Sequence, residues 1–328
     1  LNFQPDYKKP PFLFGGFVLK LYYMRIIVTG GAGFIGSAFI NYLKGNYQCD
    51  VVCVDNMSYC ANKDNIKYNV EFIEKDICDI TSDDLGEYDY LVHFAAESHV
   101  DNSIKNGLPF VKTNVQGTFN LLECARKNNN LKKFVHISTD EVYGDMDEDV
   151  NKTSNEEHSL QPSSYYSSTK TSSDLLVMSA HRTYGLPYLM TRTCNNYGEH
   201  QYDEKFLPKI YDCVKTGKEV PVYGDGKQVR EWIYVYDNVK VITDLMLDDE
   251  IINDVYNIGS GIRYENIDLI NMISEILGKE VNYKYVPDRL GHDRAYRLNC
   301  DKLNEYYKKK NTEVEFKKIS DYLKELYQ

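Results

Sequence analysis

The chain has 328 residues, 42% of them hydrophobic, and a formal net charge of -11. That length buries a substantial core in one large domain or two modest ones, and the negative balance argues against nucleic acid or an anionic membrane surface, since either needs a face of excess positive charge. No apolar run approaches the ~18 residues that span a bilayer, and the eight cysteines include no C-x-x-C pair, so no zinc site or thioredoxin-like motif is indicated and a reducing, cytoplasmic setting is expected.

Residues 1–23 carry no motif and read as an extension ahead of Met24. Within them, Lys8-Lys9 followed by Pro11 to Leu19 faintly resembles a signal peptide, but no small-residue cleavage site precedes the first strand. Arg25 to Thr29 is a short apolar strand, and Gly30-Gly-Ala-Gly33-Phe-Ile-Gly36 then opens an amphipathic helix running to about Leu43. In a strand–turn–helix unit of this kind the first glycine makes the tight turn, Gly33 admits a pyrophosphate to the backbone, and Gly36 lets helix and strand pack. The helix start offers its N–H groups to the phosphates. A second strand, Asp50 to Val54, ends in Asp55, 19 residues beyond Gly36, where a carboxylate accepts both hydroxyls of an adenosine ribose. It would repel a 2′-phosphate, and Asn56-Met57-Ser58 supplies no arginine to receive one, so NAD is expected rather than NADP.

Apolar runs continue at Val70 to Glu74, Tyr90 to Phe94 and Lys133 to Ser138, separated by helical or loop-like segments. Such alternation predicts an α/β fold, a Rossmann-like doubly wound parallel sheet with helices on both faces. Asp76-Ile77 is placed to flank the adenine. Phe94-Ala95-Ala96 is small enough to let a cofactor lie close, or simply ends a packed strand. Val111 to Lys127 and Tyr166 to Tyr184 are helical in pattern, with Val115, Phe119, Leu122, Leu175, Leu176 and Met178 spaced by three or four; these side chains either pair with a second subunit in a homodimer or cover the sheet. After about Thr193 no repeated strand–helix unit is evident until Val255 to Ile258. The expected organisation is a cofactor domain over 24–195, with returning segments near 229–260, and a smaller C-terminal substrate-binding lobe over 196–328.

The run Ser138-Thr-Asp-Glu-Val-Tyr-Gly144 leaves the fifth strand at the edge where open α/β sheets bind ligands. On these residues alone, Asp140 and Glu141 read either as a cap with a solvated charge or as an acid–base pair. Tyr166 and Lys170, four apart on one helix face, suggest a phenol activated by an ammonium. The spacing is weak by itself: Y-x-x-x-K occurs six times, at Tyr59, Tyr166, Tyr211, Tyr223, Tyr236 and Tyr306. Tyr166 is singled out by its position after the acid pair on a Ser- and Thr-rich segment. A phenol of ordinary pKa near 10 needs roughly 4 kcal/mol of help to act as a base at neutral pH, which a lysine and a cationic nicotinamide can supply.

These motifs, with Ala95-Ala-Glu-Ser-His-Val-Asp101, Asn195-Asn-Tyr-Gly198, Tyr223-Gly-Asp-Gly-Lys-Gln228 and Asp288-Arg-Leu-Gly-His-Asp293, together resemble the nucleotide-sugar 4,6-dehydratases of the extended short-chain dehydrogenase/reductase group, from about Met24 to Asp301. The resemblance implies bound NAD, a dTDP- or UDP-glucose substrate and a 4-keto-6-deoxy sugar product, as in rhamnose biosynthesis. It implies that Tyr166, aided by Lys170 and Thr139, deprotonates the sugar's 4-hydroxyl, that Glu141 removes the proton on carbon 5, and that Asp140 protonates the departing 6-hydroxyl. It extends the cofactor site to Phe34, Ile35, Asn56, Ser58, Ser98, Thr113 and Asn196. Around the sugar diphosphate it places Ser98, Thr139, Asn195, Lys205, Phe206, Arg230, Asn266, Arg289 and His292, with Pro221 to Tyr223 near the base. Arg230, Arg289 and Arg294 are also the obvious local cations for a diphosphate. No metal ligand set is expected.

The chain departs from that pattern at Leu290 and Tyr165, where the family usually has proline, and the loops after Asp55 and Gly144 look shorter than in bacterial relatives. Uracil and thymine differ by one methyl, worth about 1–3 kcal/mol in a fitted pocket, so both nucleotide sugars stay open. A nucleotide-sugar 4-epimerase or a decarboxylase would not need Asp140 beside Glu141. From another class, a catalytically silent NAD-binding regulator is weighed against the intact Tyr166, Lys170, Asp140 and Glu141.

Overall fold

Seven apolar runs become one parallel sheet: β1 (Met24–Thr29), β2 (Cys49–Asp55), β3 (Glu71–Glu74), β4 (Tyr90–His93), β5 (Lys133–Thr139), β6 (Tyr188–Thr193) and β10 (Asp254–Ile258). Their spatial order is β10-β6-β5-β4-β1-β2-β3. The computed structural model describes residues 23–146 and 152–327; the signal-like stretch and much of the loop after Gly144 lie outside the described residues. The chain moves outward from β1 through β2 to β3, then restarts at β4 on the other side of β1. The crevice between the C-terminal ends of β1 and β4 is therefore the switch point at which such sheets bind ligands.

β1, β4 and β5 are buried along nearly their whole length, as expected of strands covered on both faces. The helices Phe34–Asn46 and Val235–Leu247 pack on one face and Thr118–Arg126 and Tyr165–Tyr184 on the other. The last of these starts in a capping box, with the Ser164 hydroxyl accepting from Ser167 N and the Ser167 hydroxyl from Ser164 N, each at 3.0 Å. It stops at Gly185 in the left-handed region.

Two expectations change. The segment from Val111 is not one α-helix: the chain winds as a π-helix over Val111–Gly117 before Thr118–Arg126. Its side chains also divide. Leu122 is buried against the sheet, whereas Phe119, Leu175 and Met178 on the two helices are exposed, so covering the sheet accounts for only part of the apolar stripe.

Beyond Thr193 the chain is more regular than its pattern suggests. β7 (Asn195–Tyr197), β8 (Val220–Tyr223), β9 (Val229–Tyr234), β11 (Arg263–Glu265) and β12 (Tyr283–Val286) form a mixed three-stranded sheet, β11-β9-β7, and a parallel pair, β12-β8. Helices Phe206–Thr216, Asn266–Leu277 and Ile319–Tyr327 cover them around a separate core containing Ile210, Trp232, Leu269 and Ile273. β10 returns to the edge of the large sheet beside β6. No helix among the described residues is long and apolar enough to cross a membrane.

Candidate active site

A cleft of about 740 Å³ runs along the C-terminal edge of the large sheet and under the smaller lobe, within the ~300–1,000 Å³ usual for small-molecule sites. At its β1 end, Gly30 has φ +70, and a Cβ there would lie 2.6 Å from Ala95 N. At Gly36 a Cβ would lie 2.2 Å from Gly30 O. Only glycine satisfies either position. The following helix begins at Gly33 with no side-chain cap, and its first turn, Phe34, Ile35 and Gly36, lines the cleft. An uncapped helix start facing a cleft suits an anionic pyrophosphate. Asp55 is fixed on the same wall, Oδ2 accepting from Ala32 N at 3.0 Å and Oδ1 from Met57 N at 2.9 Å. Burial pushes its carboxyl up, and these two donors oppose that shift. Each oxygen keeps a lone pair for a ribose hydroxyl. These features fit NAD.

Asn56, Ser58, Ile77, Phe94, Ala95, Ala96, Ser98, Thr113 and Asn196 line the cleft as the sequence suggests, but Asp76 does not. Its carboxylate instead accepts from Cys78 N at 2.9 Å and faces Lys112 at 3.4 Å. The π-helix supplies a residue that spacing did not disclose. Asn114 donates from Nδ2 to Glu97 O and to Thr169 Oγ1, both at 3.0 Å, and accepts from Glu97 N, tying the β4 loop to the helix that carries Tyr166.

At mid-cleft, β5 ends in Thr139, whose hydroxyl accepts from Glu141 N at 3.3 Å and donates to Asp140 Oδ1 at 3.2 Å. The cap of the Asp140–Tyr143 turn is thus the threonine, which leaves the two acids free of that duty. Asp140 is 3% exposed, behind the cleft lining, with no hydrogen-bond partner for Oδ2. Burial, then the neighbouring Glu141 charge, holds its carboxyl well above the usual range. Glu141 faces the cleft. Burial raises it too, but Arg289 and Arg230 pull it back. Both adjacent carboxyl groups are raised, Asp140 well above the usual range and Glu141 with two arginines moderating the rise.

Tyr166 lines the cleft beside them. Burial raises its phenol, the Glu141 charge adds to this, and a hydrogen bond with Thr139 opposes it. Lys170 is buried, donating from Nζ to Ile137 O at 2.7 Å, and burial lowers its ammonium to about 8. The other five tyrosines of the same spacing belong to different settings: Tyr59 and Tyr223 line other parts of the cleft, and Tyr211, Tyr236 and Tyr306 do not line it.

Asn195, Lys205, Phe206, Pro221, Tyr223, Arg230, Asn266, Arg289 and His292 all line the far end. Lys205 reaches Ser98 O at 3.1 Å; burial lowers its ammonium. Arg230 is braced by Asp293 O at 2.9 Å and by the Tyr296 ring, 4.4 Å from its guanidinium carbon. Arg289 pairs with Asp101 at 3.3 Å. Arg294, in contrast, is turned away from the cleft and pairs with Asp225 through both terminal nitrogens, at 2.5 and 2.9 Å. Burial and the Arg289 charge lower His292 to about 4, and it sits 2.6 Å from Asp288. Sequence reasoning did not single out Gln201 or Glu204, which also line the cleft; no motif spacing marks them, whereas Asp101 closes the run that begins at Ala95.

Comparison with known proteins agrees with this geometry. The NAD dependent epimerase/dehydratase family matches residues 26–259. A low-salt glycan biosynthesis protein, Agl12, of Haloferax volcanii is 45% identical over 85% of this chain and 91% of its own. A dTDP-glucose 4,6-dehydratase of Escherichia coli is 40% identical over 86% of each chain. The crystal structure of DesIV, a dTDP-glucose 4,6-dehydratase from Streptomyces venezuelae with NAD and TYD bound, superposes with a TM-score of 0.85 at 36% identity, covering 92% of this chain and 95% of that one. With a switch-point cleft built for a dinucleotide and the Tyr166–Lys170 pair on its wall, the chain belongs to the NAD dependent epimerase/dehydratase family, within the extended short-chain dehydrogenase/reductases.

Proposed function

We propose that the chain is an NDP-glucose 4,6-dehydratase, converting dTDP-glucose or UDP-glucose to NDP-4-keto-6-deoxyglucose and water. The supporting observation is the pairing of a buried carboxyl held protonated, Asp140, with a cleft-facing carboxyl held nearer its charged form by arginines, Glu141, beside Tyr166. Elimination of water calls for an acid and a base at once. A 4-epimerase or decarboxylase has no use for the second acid.

NAD, when bound, takes up the hydrogen on carbon 4 as hydride and returns it at carbon 6, so it is not consumed. The residues do the rest. Tyr166 takes the proton of the 4-hydroxyl, with Thr139 hydrogen-bonded to its oxygen. Lys170 supplies the nearby positive charge that favours the phenolate. The 4-ketone so formed acidifies carbon 5, whose proton passes to Glu141, and Asp140 gives its proton to the 6-hydroxyl as it leaves as water. Arg230, Arg289 and Lys205 bind the diphosphate. Residues 24–195 with the returning helix Val235–Leu247 and β10 act as the cofactor domain, and 196–328 mainly as the substrate lobe. The product feeds 6-deoxysugar synthesis, rhamnose being one outcome.

Two such chains pair through the helices near 111–127 and 166–184, where Phe119 and Leu175 are each 54% exposed and Met178 is 40% exposed. Purified protein given UDP-glucose or dTDP-glucose, side by side and without added cofactor, is expected to release a 4-keto-6-deoxy product. Recovery of an NDP-galactose would select the epimerase, and no turnover of either sugar would sink the enzymatic reading.

A further inference from the structure

One helical turn beyond Lys170, on the same buried face, lies a carboxylate that the reaction above does not use. Asp174 is fully buried. Its Oδ2 accepts from Arg192 Nε at 3.0 Å, and its Oδ1 lies 3.3 Å from His136 Nε2. Arg192 comes from β6 and His136 from β5, two residues before Ser138. Arg192 is held in turn by the Tyr143 hydroxyl at 3.0 Å, and that hydroxyl donates to Asn257 Oδ1 at 2.7 Å. A charge buried this deeply persists only when paired.

The charged and titratable groups facing Lys170 can be taken element by element. On its own helix are Tyr166 and Asp174. From β5 comes His136, which burial lowers to about 4, so it is neutral at physiological pH. From β4 comes His93, lowered by burial and by the neighbouring His136 and Lys170, its ring nitrogens 2.8 and 2.9 Å from the hydroxyls of Thr29 and Thr118. Arg192, from β6, meets this group through Asp174. Asp174 is the one group among these whose charge favours the lysine's proton. Burial pushes Asp174 up, but the His136 ring 3.3 Å away and the Arg192 charge outweigh it and keep the carboxyl below its ordinary range. Lys170, Arg192 and Asp174 together carry one net positive charge, which a phenolate at Tyr166 balances.

We propose that Asp174 is a positioning residue of the reaction: clamped by Arg192 and His136, its carboxylate keeps Lys170 protonated one helical turn from Tyr166, so that the phenol meets an ammonium rather than a neutral amine. Without that anion, Lys170 keeps the burial that disfavours its charge and loses the one group that opposes it, so its proton is lost more readily. The inference rests on the reading that Tyr166 and Lys170 run the first step, but its main test does not depend on turnover.

Carbon-13 labelling of the lysine ε-methylenes, with the Lys170 resonance assigned by its loss in Lys170→Arg, gives the Lys170 titration midpoint directly. In Asp174→Asn the midpoint is expected to fall by about one pH unit or more, and the alkaline limb of kcat/KM should fall with it, about tenfold in rate at its upper end. Asp174→Glu should restore the wild-type midpoint in part. An unchanged Lys170 midpoint in Asp174→Asn overturns the proposal, as does an equal loss of activity at every pH in that variant. If Asp174→Asn does not fold, Asp174→Ser decides, and an unchanged Lys170 midpoint there rejects it. A wild-type protein that turns over no NDP-glucose while its lysine behaves as described would fail the functional reading alone.

Discussion

Replacing Glu141 with glutamine keeps the size of the side chain and removes its charge, and the surroundings predict opposite effects on the two halves of the reaction. A positioned general base contributes about 10²–10⁴ in rate, or roughly 2.7–5.4 kcal/mol of barrier. Proton removal from carbon 5 and release of product should fall by that factor. The first half should not fall with them. After burial, the Glu141 charge is the largest influence raising the Tyr166 phenol, so removing it lowers the phenol's pKa. A base that ionises more readily is competent at lower pH, and oxidation at carbon 4 should therefore shift its pH dependence downward in the variant. The assay combines wash-in of solvent deuterium at carbon 5, product formation, and the near-ultraviolet absorbance of reduced cofactor in a single turnover. Wild-type deuterium wash-in would remove Glu141 as the base. A parallel loss of oxidation and elimination would show that the substitution had merely disturbed the cleft.

Gly36→Ala should abolish copurification of NAD and cost about 1–3 kcal/mol in unfolding, because its methyl would sit 2.2 Å from Gly30 O; a variant with full NAD content and an unchanged melt would contradict that. Lys133, 2% exposed, donates to the carbonyls of Leu245, Met246 and Asp248 at 3.3, 2.9 and 2.5 Å, closing the end of the Val235–Leu247 helix, so Lys133→Met should lose about 1–3 kcal/mol in denaturant unfolding. Burial lowers this ammonium from 10.5 to about 8. Between those values the unfolded state binds the extra proton, so the stability of wild type relative to Lys133→Met should grow as pH rises through that window, and a shrinking difference would refute the sign. Phe119→Glu with Leu175→Glu should yield monomers in sedimentation equilibrium, whereas an unaltered mass would place any subunit contact elsewhere.

What could be read from the sequence follows the range over which each signal acts. The glycine turn and Asp55 are local: a tight turn, a helix start and a strand end need only neighbouring residues, and both stand on the cleft wall as expected. The sheet β11-β9-β7 escaped notice because β7 and β11 have three residues each and Asn195 pairs with Trp232, too short and too distant for any periodicity. The π-helix at Val111–Gly117 escaped for a different reason, since a stripe of apolar residues spaced by three or four does not separate five-residue from four-residue hydrogen bonding. Among the candidate cations, Arg230, Arg289 and Arg294 look alike in sequence; only the fold sets Asp225 against Arg294, 69 positions away. The depth of Asp140 behind Thr139 is likewise a tertiary fact. So are the different surroundings that raise these two adjacent acids to different extents.

That difference has a further consequence for how substrate and catalysis are linked. A dry pocket suits a carboxyl meant to stay protonated, as Asp140 is, but it resists every group that must ionise, and Glu141 and Tyr166 both must. The structure opposes burial at Glu141 with the charges of Arg289, Arg230 and Lys205, which are the cations expected to take the diphosphate. In the free enzyme their pull offsets part of the rise that burial imposes on Glu141. A bound diphosphate brings negative charge to the same guanidinium groups and offsets that pull. The carboxylate then becomes more basic only once a substrate is in place, after Tyr166 and the cofactor have made carbon 5 acidic enough to need it. On the proposed function, the phosphates remote from the reacting sugar would thus strengthen the base that works on it, a direct electrostatic route by which binding energy is expressed in the elimination step.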